Sequence, residues 1–298
     1  RSFTPPPTPH AAQQAINVIT LDSPEAYTLQ YIAKLYTHQT GVPVHIAIYS
    51  YDEIFDIFNS GMRGHEDCDV LRIDVTMLSF FARRLLTPLT DIDPGIANFL
   101  STFLKGTVDP YAYVNNTLYA LPFSPSTQML YYRRDLFSNA MVGRMFVERF
   151  GRELTVPVTF EEYNEVASFF TQSLNPDSPV RYGTTLTVGS IAVASSEYLQ
   201  RLFALQENLY DESGRVDMRA PNFVRALRQL LAARPYADPN YSPWWRKTVS
   251  AFAGGDIAMA LLYNNFASPL VSYQSKVRDS IGCALIPGGR PVIGGGCL

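Results

Sequence analysis

Cysteine is scarce in this chain, and the three that occur, Cys68, Cys283 and Cys297, stand far apart. That spacing excludes a C-x-x-C zinc or redox motif and a dense disulfide framework, and leaves free, buried thiols as the expectation. Histidine is as sparse: His10, His38, His45 and His65 show no ligand spacing, so no metal and no cofactor is expected. Positive charge is in slight deficit, with 24 Lys+Arg against 27 Asp+Glu and a net charge of −3. This excludes a basic phosphate-binding face and hence nucleic acid as a partner of this piece. No apolar run reaches the roughly 18 residues that cross a bilayer, and no charged-then-apolar leader opens the chain. Catalytic signatures are missing as well: G-x-S-x-G, H-E-x-x-H, the P-loop and G-x-G-x-x-G are all absent. Glu161-Glu162 reads as a helix start and Asp211-Glu212 as a solvated turn, not as a glycosidase pair. No catalytic residue is assigned, and an enzyme is not expected.

What is present is a large apolar content, 47% of 298 residues, with 13% aromatic side chains. A chain of this length and composition buries sizeable cores and divides into two domains. Residues 1–14 hold Pro5, Pro6, Pro7 and Pro9 among Thr, Ser and Ala, the composition of an extended linker. A β-rich run, Ile16 to Leu21, is followed by Asp22-Ser23-Pro24-Glu25, which supplies a cap, a proline at the first helical position and a first-turn acid. The helix ends at Gly41, and Val42 to Tyr49 reads as the next strand, so a βαβ unit is expected. Tyr51 to Asn59 is a short helix, Asp69 to Ile73 a third strand ending at Asp74, and Met77 to Arg84 another helix. Further on, helices are predicted over Asp135 to Phe150, Phe160 to Gln172, Ser195 to Leu209 and Asp217 to Ala233. Strands are predicted at Tyr182 to Leu186, Ile257 to Leu262 and Ile281 to Ile286, with another beginning at Gly294.

Between these halves lies Tyr119 to Phe137, in which a short strand meets Pro122 and Pro125 before a second strand, Gln128 to Tyr132. Ser124, Ser126, Thr127 and Gln128 line this passage with hydroxyls and an amide and no charge, which suits a neutral hydroxylated ligand; an ordinary interdomain connection reads equally well. In open α/β sheets ligands lie beyond the carboxyl ends of strands, which places Asp22, Ser23 and Asp74 for contact. Asp74 can accept two hydrogen bonds from vicinal hydroxyls, or it can cap the helix that starts near Thr76. The loop from Tyr236 to Trp245 carries the only tryptophans, Trp244 and Trp245, either of which could offer a flat face to a sugar ring or simply seal the loop. Tyr263-Asn264-Asn265-Phe266 repeats the positional logic of Asp74 with rings and amides.

Several stretches in order resemble the extracellular solute-binding proteins of carbohydrate ABC transporters, the maltose-binding-protein-like family. They are Thr40-Gly-Val-Pro-Val44, Asp69-Val-Leu-Arg-Ile-Asp74, Tyr119-Ala-Leu-Pro122 and Gln128 to Phe137. Thr159-Phe-Glu-Glu-Tyr163, Ala251 to Met259 and Ile286-Pro-Gly-Gly289 leading into Gly294-Gly295 complete the set. The resemblance implies an α/β, two-lobed periplasmic-binding-protein-like (type II) fold, with a mixed sheet in each lobe, an interlobe hinge and a ligand cleft. It divides the chain into a linker at 1–14, an N-terminal lobe at 15–121, a C-terminal lobe at 122–290 and the start of a return crossing at 291–298. It implies binding of a carbohydrate, by preference an oligosaccharide, and delivery to an ABC permease by a monomer held outside the cytoplasm through a lipoprotein tether. Asp22, Ser23, Asp74, Ser126, Thr127, Gln128, Trp244, Trp245, Tyr263, Asn264, Asn265 and Phe266 are the ligand-binding candidates. Two departures stand out. Met77 occupies a position where that family often has an aromatic ring, and the family continues for about a hundred residues beyond the Gly-Gly segment, so the chain resembles a C-terminally truncated member. The same fold also serves as the sensor of some transcriptional regulators, cytoplasmic and fused to an upstream DNA-binding domain, which is the alternative reading. A hydrolase on the same two-lobed architecture is a third, without a motif to support it.

Overall fold

The computed structural model describes residues 14–298. The expected linker at 1–14 lies almost wholly outside the described residues. The chain separates into two compact units, one running through Pro125 and taking back Gly295–Leu298, the other Ser126–Gly294.

In the first unit β1 (Ile16–Leu21) runs into α1 (Pro24–Thr40), β2 (Val44–Tyr49), α2 (Tyr51–Asn59), β3 (Val70–Leu71), β4 (Ile73–Asp74) and α3 (Val75–Leu85). β1 is central, parallel to β2 from Ile16↔Val44 to Leu21↔Tyr49 and to β3 at Val18↔Val70 and Ile19↔Leu71. The helix boundaries follow the local chemistry. Gly41 takes a left-handed φ of 78° and its N–H closes on the Thr37 carbonyl, stopping α1. Ser50 and Glu53 form a complete capping box for α2, which stabilises it by about 1 kcal/mol. The third strand differs from expectation: it is broken at Arg72 into two pairs of residues. β4 pairs not with β1 but with β10 (Ile293–Cys297), through Asp74↔Gly296 and Ile73↔Cys297. Two short helices, α4 (Leu89–Ile92) and α5 (Val108–Ala112), precede a hairpin of β5 (Tyr113–Val114) and β6 (Thr117–Leu118). Its turn residues Asn115 and Asn116 both adopt positive φ, 50° and 63°, the conformation a two-residue hairpin demands and asparagine tolerates.

β7 (Pro122–Arg133) is a strand of 12 residues that starts well before the Gln128 beginning expected from the sequence and takes in both prolines. Its pairing explains how it holds two prolines. The registers with β8 (Met259–Tyr263) and β9 (Ile281–Leu285) begin only at Gln128 and Met129, so the missing N–H groups of Pro122 and Pro125 cost neither ladder a bond. Ser124, between them, bends the backbone with φ 53°.

In the second unit β8 and β9 flank β7, both antiparallel. Around them lie α6 (Arg134–Phe137), α7 (Ala140–Phe150), α8 (Phe160–Phe169), α9 (Ile191–Ala204), α10 (Pro221–Ala232), α11 (Trp245–Ala253) and α12 (Ala267–Leu270). The single helix expected over Asp135 to Phe150 is two, because Asn139 caps the second by accepting from the N–H groups of Met141 and Val142. The strand expected at Tyr182 to Leu186 reduces to one parallel bridge, Tyr182↔Ile257. The next two amides, Gly183 and Thr184, both donate to the Tyr236 carbonyl, so the backbone leaves the ladder for a loop. One core gathers Phe146, Phe160, Tyr163, Phe169 and Phe170 beneath Leu130 and Leu261. A second gathers Trp245, Phe252, Tyr263 and Phe266.

One feature of this unit is polar throughout. Glu197 and Arg201, one helical turn apart on α9 and both fully buried, pair at 2.8 Å. Glu197 also accepts from Gln200 Nε2 at 2.6 Å and from the Thr187 amide at 3.2 Å, and the Arg201 guanidinium lies 4.6 Å above the Phe160 ring centroid. Of the cysteines, all free, Cys297 is buried, whereas Cys68 is partly exposed and Cys283 exposed, so only the first fits the buried-thiol expectation.

Candidate functional site

The predicted residues fall into two patches, one in each unit. In the second unit the β7–β8 ladder ends at Gln128↔Tyr263, and just beyond it stand Ser126 and Thr127 on β7 and Asn264 and Asn265 in the helical turn that follows β8. The Thr127 N–H donates to Asn264 Oδ1 at 3.0 Å, which ties the two segments together. Ser126 Oγ and Asn265 Oδ1, by contrast, are both shielded and have no hydrogen-bond partner. A buried hydroxyl and a buried amide oxygen left unsatisfied cost about 1–3 kcal/mol each, and a ligand that bonds them recovers it. Neither carries a charge, as a polyol site requires.

Two other predicted residues of this patch are committed inward. Gln128, 1% exposed, donates from Nε2 to Ser196 Oγ at 2.9 Å and accepts at Oε1 from the Val292 N–H at 3.2 Å. Ser196 Oγ in turn lies 3.1 Å from the Tyr263 hydroxyl. A Cβ on Gly294 would stand 2.5 Å from Tyr263 Cε1, so only glycine lets the chain pass over that ring. Gln128, Ser196 and Tyr263 thus hold the segment Val292–Gly294 onto α9, β7 and β8. Ser196 carried no signal in the sequence, since its role depends on the register of distant strands.

The tryptophans and Phe266 also resolve toward packing. Trp245 opens α11 and is 4% exposed, its ring edge-on to Tyr263 at 5.2 Å, a contact worth about 0.5–1.5 kcal/mol beyond burial. Phe266 is 5% exposed in the same core. Trp244 is partly buried against that core at the helix N-cap, in extended backbone. The reason is the helix start: α11 begins at Trp245, so the loop that was to present both rings ends at Trp244.

In the first unit Asp22, Ser23 and Asp74 stand at the carboxyl ends of β1 and β4 as the topology rule requires. Asp22 accepts from the Tyr27 hydroxyl at 3.2 Å. Ser23 is the N-cap of α1, yet its side chain makes no capping bond and its buried Oγ has no partner. Asp74 does cap α3: its Oδ1 accepts from the Thr76 N–H at 3.0 Å and from Thr76 Oγ1 at 2.6 Å. Thr76 Oγ1 lies 3.2 Å from the Tyr51 hydroxyl, whose pKa is raised by burial and then by the Asp74 charge. Burial, followed by the same carboxylate, pushes the Cys297 thiol up to about 12, with Arg72 opposing. Met77 is 4% exposed and packs in the core, so no ring stands at that position in the patch. Among the described residues no group of three His, Cys, Asp or Glu side chains could hold a metal ion.

Two α/β units connected through β7 and β10 thus carry polar side chains at strand ends. The bacterial extracellular solute-binding protein family matches residues 31–298, and the chain belongs to it. Membership assigns it to proteins that bind solutes outside the cytoplasm, and no helix among the described residues is long and apolar enough to cross a membrane. Solved structures agree on the fold. An ABC transporter solute-binding protein from Agrobacterium radiobacter, in complex with ribitol, is 19% identical with a TM-score of 0.81, covering 97% of this chain and 71% of its own. Maltose-bound T. maritima MalE3 is 23% identical with a TM-score of 0.76, covering 95% and 71%. The GacH receptor of Streptomyces glaucescens, solved unliganded and with acarbose, is 22% identical with a TM-score of 0.72, covering 95% and 70%. No curated protein matches the sequence.

Proposed function

We propose that this chain binds a carbohydrate, an oligosaccharide by preference, and delivers it to the permease of an ABC importer, binding without turnover. The observation that carries the reading is that Ser126 Oγ and Asn265 Oδ1, just beyond the end of the β7–β8 ladder, are uncharged, shielded and unpartnered. Sugar hydroxyls, which donate and accept together, satisfy both. Three relatives of the same fold hold ribitol, maltose or acarbose, which supports the same ligand class here. Membership in an extracellular family favours the transport role over that of a cytoplasmic sensor, and a monomer tethered by a lipid outside the described residues fits it.

Asp74, with its Oδ1 already spent on Thr76, contributes its second carboxylate oxygen. Titration calorimetry against a panel of mono- and oligosaccharides tests the proposal. Asp74→Ala is expected to weaken binding by about 1.5 kcal/mol or more, the worth of a charged hydrogen bond. Asp74→Ser keeps a helix cap, so the same loss in that variant separates binding from helix stability. Asn265→Ala should weaken binding as well. Failure of every saccharide to bind, or unchanged affinity in all three variants, overturns the proposal.

A further inference from the structure

Arg72 is 2% exposed, and among the described residues of the first unit its guanidinium is the one cationic group that the packing places inside without completing. Its backbone N–H donates to the Ile19 carbonyl at 2.8 Å, which fixes it in the gap between β3 and β4. Its Nε and Nη1 are shielded and have no hydrogen-bond partner. Thr20, which continues the register Ile19↔Leu71 by one step and so stands beside Arg72, is fully buried with Oγ1 unpartnered. Three residues later Ser23, 3% exposed, is likewise unpartnered at Oγ. On the other side β10 lies against the guanidinium: a Cβ on Gly296 would come within 2.8 Å of Arg72 Nε. Asp74, next but one along the chain, has turned its Oδ1 to Thr76. A guanidinium stays ionised wherever it is placed, and an ionised group withdrawn from water is tolerated when an opposite charge meets it.

We propose that Arg72 receives the carboxylate of an acidic sugar, a uronic or related sugar acid, while Asp74 takes hydroxyls of the same residue. The proposal rests on the carbohydrate reading and deepens it. A guanidinium matches a carboxylate in planarity and in the spacing of its donors, and the bond is charge-assisted at both ends. A neutral sugar supplies no counter-charge, so Arg72 separates acidic from neutral ligands, with Thr20 and Ser23 adding hydroxyl donors around the oxyanion. Asp74 alone would repel such a ligand. Beside Arg72 it selects one that carries both an acid and a diol.

The test is thermal shift and titration calorimetry on the whole chain, with glucuronate and galacturonate and their short oligomers set against glucose, galactose and the matching neutral oligomers at equal ionic strength. Sodium acetate and sulfate serve as anion controls. Acidic sugars are expected to bind at least roughly tenfold tighter than their neutral counterparts. Arg72→Gln should abolish that ratio, and Arg72→Lys, which keeps the charge and loses the fork, should reduce it. The comparison in the unaltered protein stands even if Arg72→Gln fails to fold. Neutral sugars binding as tightly as acidic ones would overturn the role of Arg72 and leave the carbohydrate reading intact. Acetate or sulfate matching the effect of the uronates would mean an adventitious ion only, and would overturn it too. Absence of binding by either class of sugar would remove both readings.

Discussion

Replacing Glu197 by alanine should be among the most damaging single changes in the second unit. The carboxylate accepts from Arg201 Nη1 at 2.8 Å, Gln200 Nε2 at 2.6 Å and the Thr187 amide at 3.2 Å, all in a fully buried setting. Removing it strands the Gln200 and Thr187 donors and leaves a buried guanidinium without its counter-charge, bonded only to the Glu197 backbone carbonyl at 2.6 Å. Beyond that carbonyl Arg201 has no charged partner in reserve: its Nε and Nη2 are already unpartnered, and the Phe160 face at 4.6 Å offers only a partial substitute. Breaking a buried pair from one side costs about 3–5 kcal/mol. For a unit of this size that is a drop of about 6–20 °C in melting temperature, at about 2–4 °C per kcal/mol. Urea titration followed by circular dichroism, with calorimetry for the melting point, measures both. The double variant Glu197→Leu with Arg201→Met removes both charges together and should recover most of the loss. A single variant within about 1 kcal/mol of the parent, or a double variant as unstable as the single, would refute the account of this pair.

Two further expectations concern packing and pH. Gly294→Ala should destabilise by about 1–3 kcal/mol, since the new Cβ meets a Tyr263 ring pinned by Trp245 and Ser196, whereas Gly143→Ala in the interior of α7, with nothing within 4 Å, should stabilise by about 0.5–1 kcal/mol. Chemical denaturation of the two variants side by side decides it, and equal effects would contradict the clash. Asp135, bonded by Arg133 at 2.8 and 2.6 Å, has its pKa lowered by those bonds. Its contribution is therefore present above the unfolded value near pH 4 and lost as pH falls through the lower folded value. Asp135→Asn should be less stable than the parent at pH 7 by an amount that shrinks below about pH 4; a constant difference across that range would be the contrary result.

Local chemistry explains why some elements were readable in advance. Pro24 and Gly41 are short-range signals that act within one helical turn, and the helix they bound runs as the sequence indicates. Strands fared differently, because their limits depend on partners far away. Pro122 and Pro125 read as a break, yet the ladders that would exclude them start only at Gln128. Tyr182 to Leu186 has the composition of a strand, but its amides go to Tyr236. The same division runs through the site. Asp22, Ser23 and Asp74 follow from a rule about strand ends. The Thr127 bond to Asn264, the inward commitment of Gln128 and the isolation of Arg72 follow from long-range pairings that no local window contains.

The return of Gly295–Leu298 to the first unit bears on biosynthesis. Cys297 Sγ meets the Ile73 carbonyl across 224 positions of sequence. At about 5–20 residues per second, a ribosome leaves β4 without that neighbour for roughly ten seconds or longer. Over that interval the nascent first unit has an open sheet edge, while the uninterrupted stretch Ser126–Gly294 gains all its own partners before translation reaches β10's last residues. Chaperone demand during synthesis should therefore fall on the half that is made first.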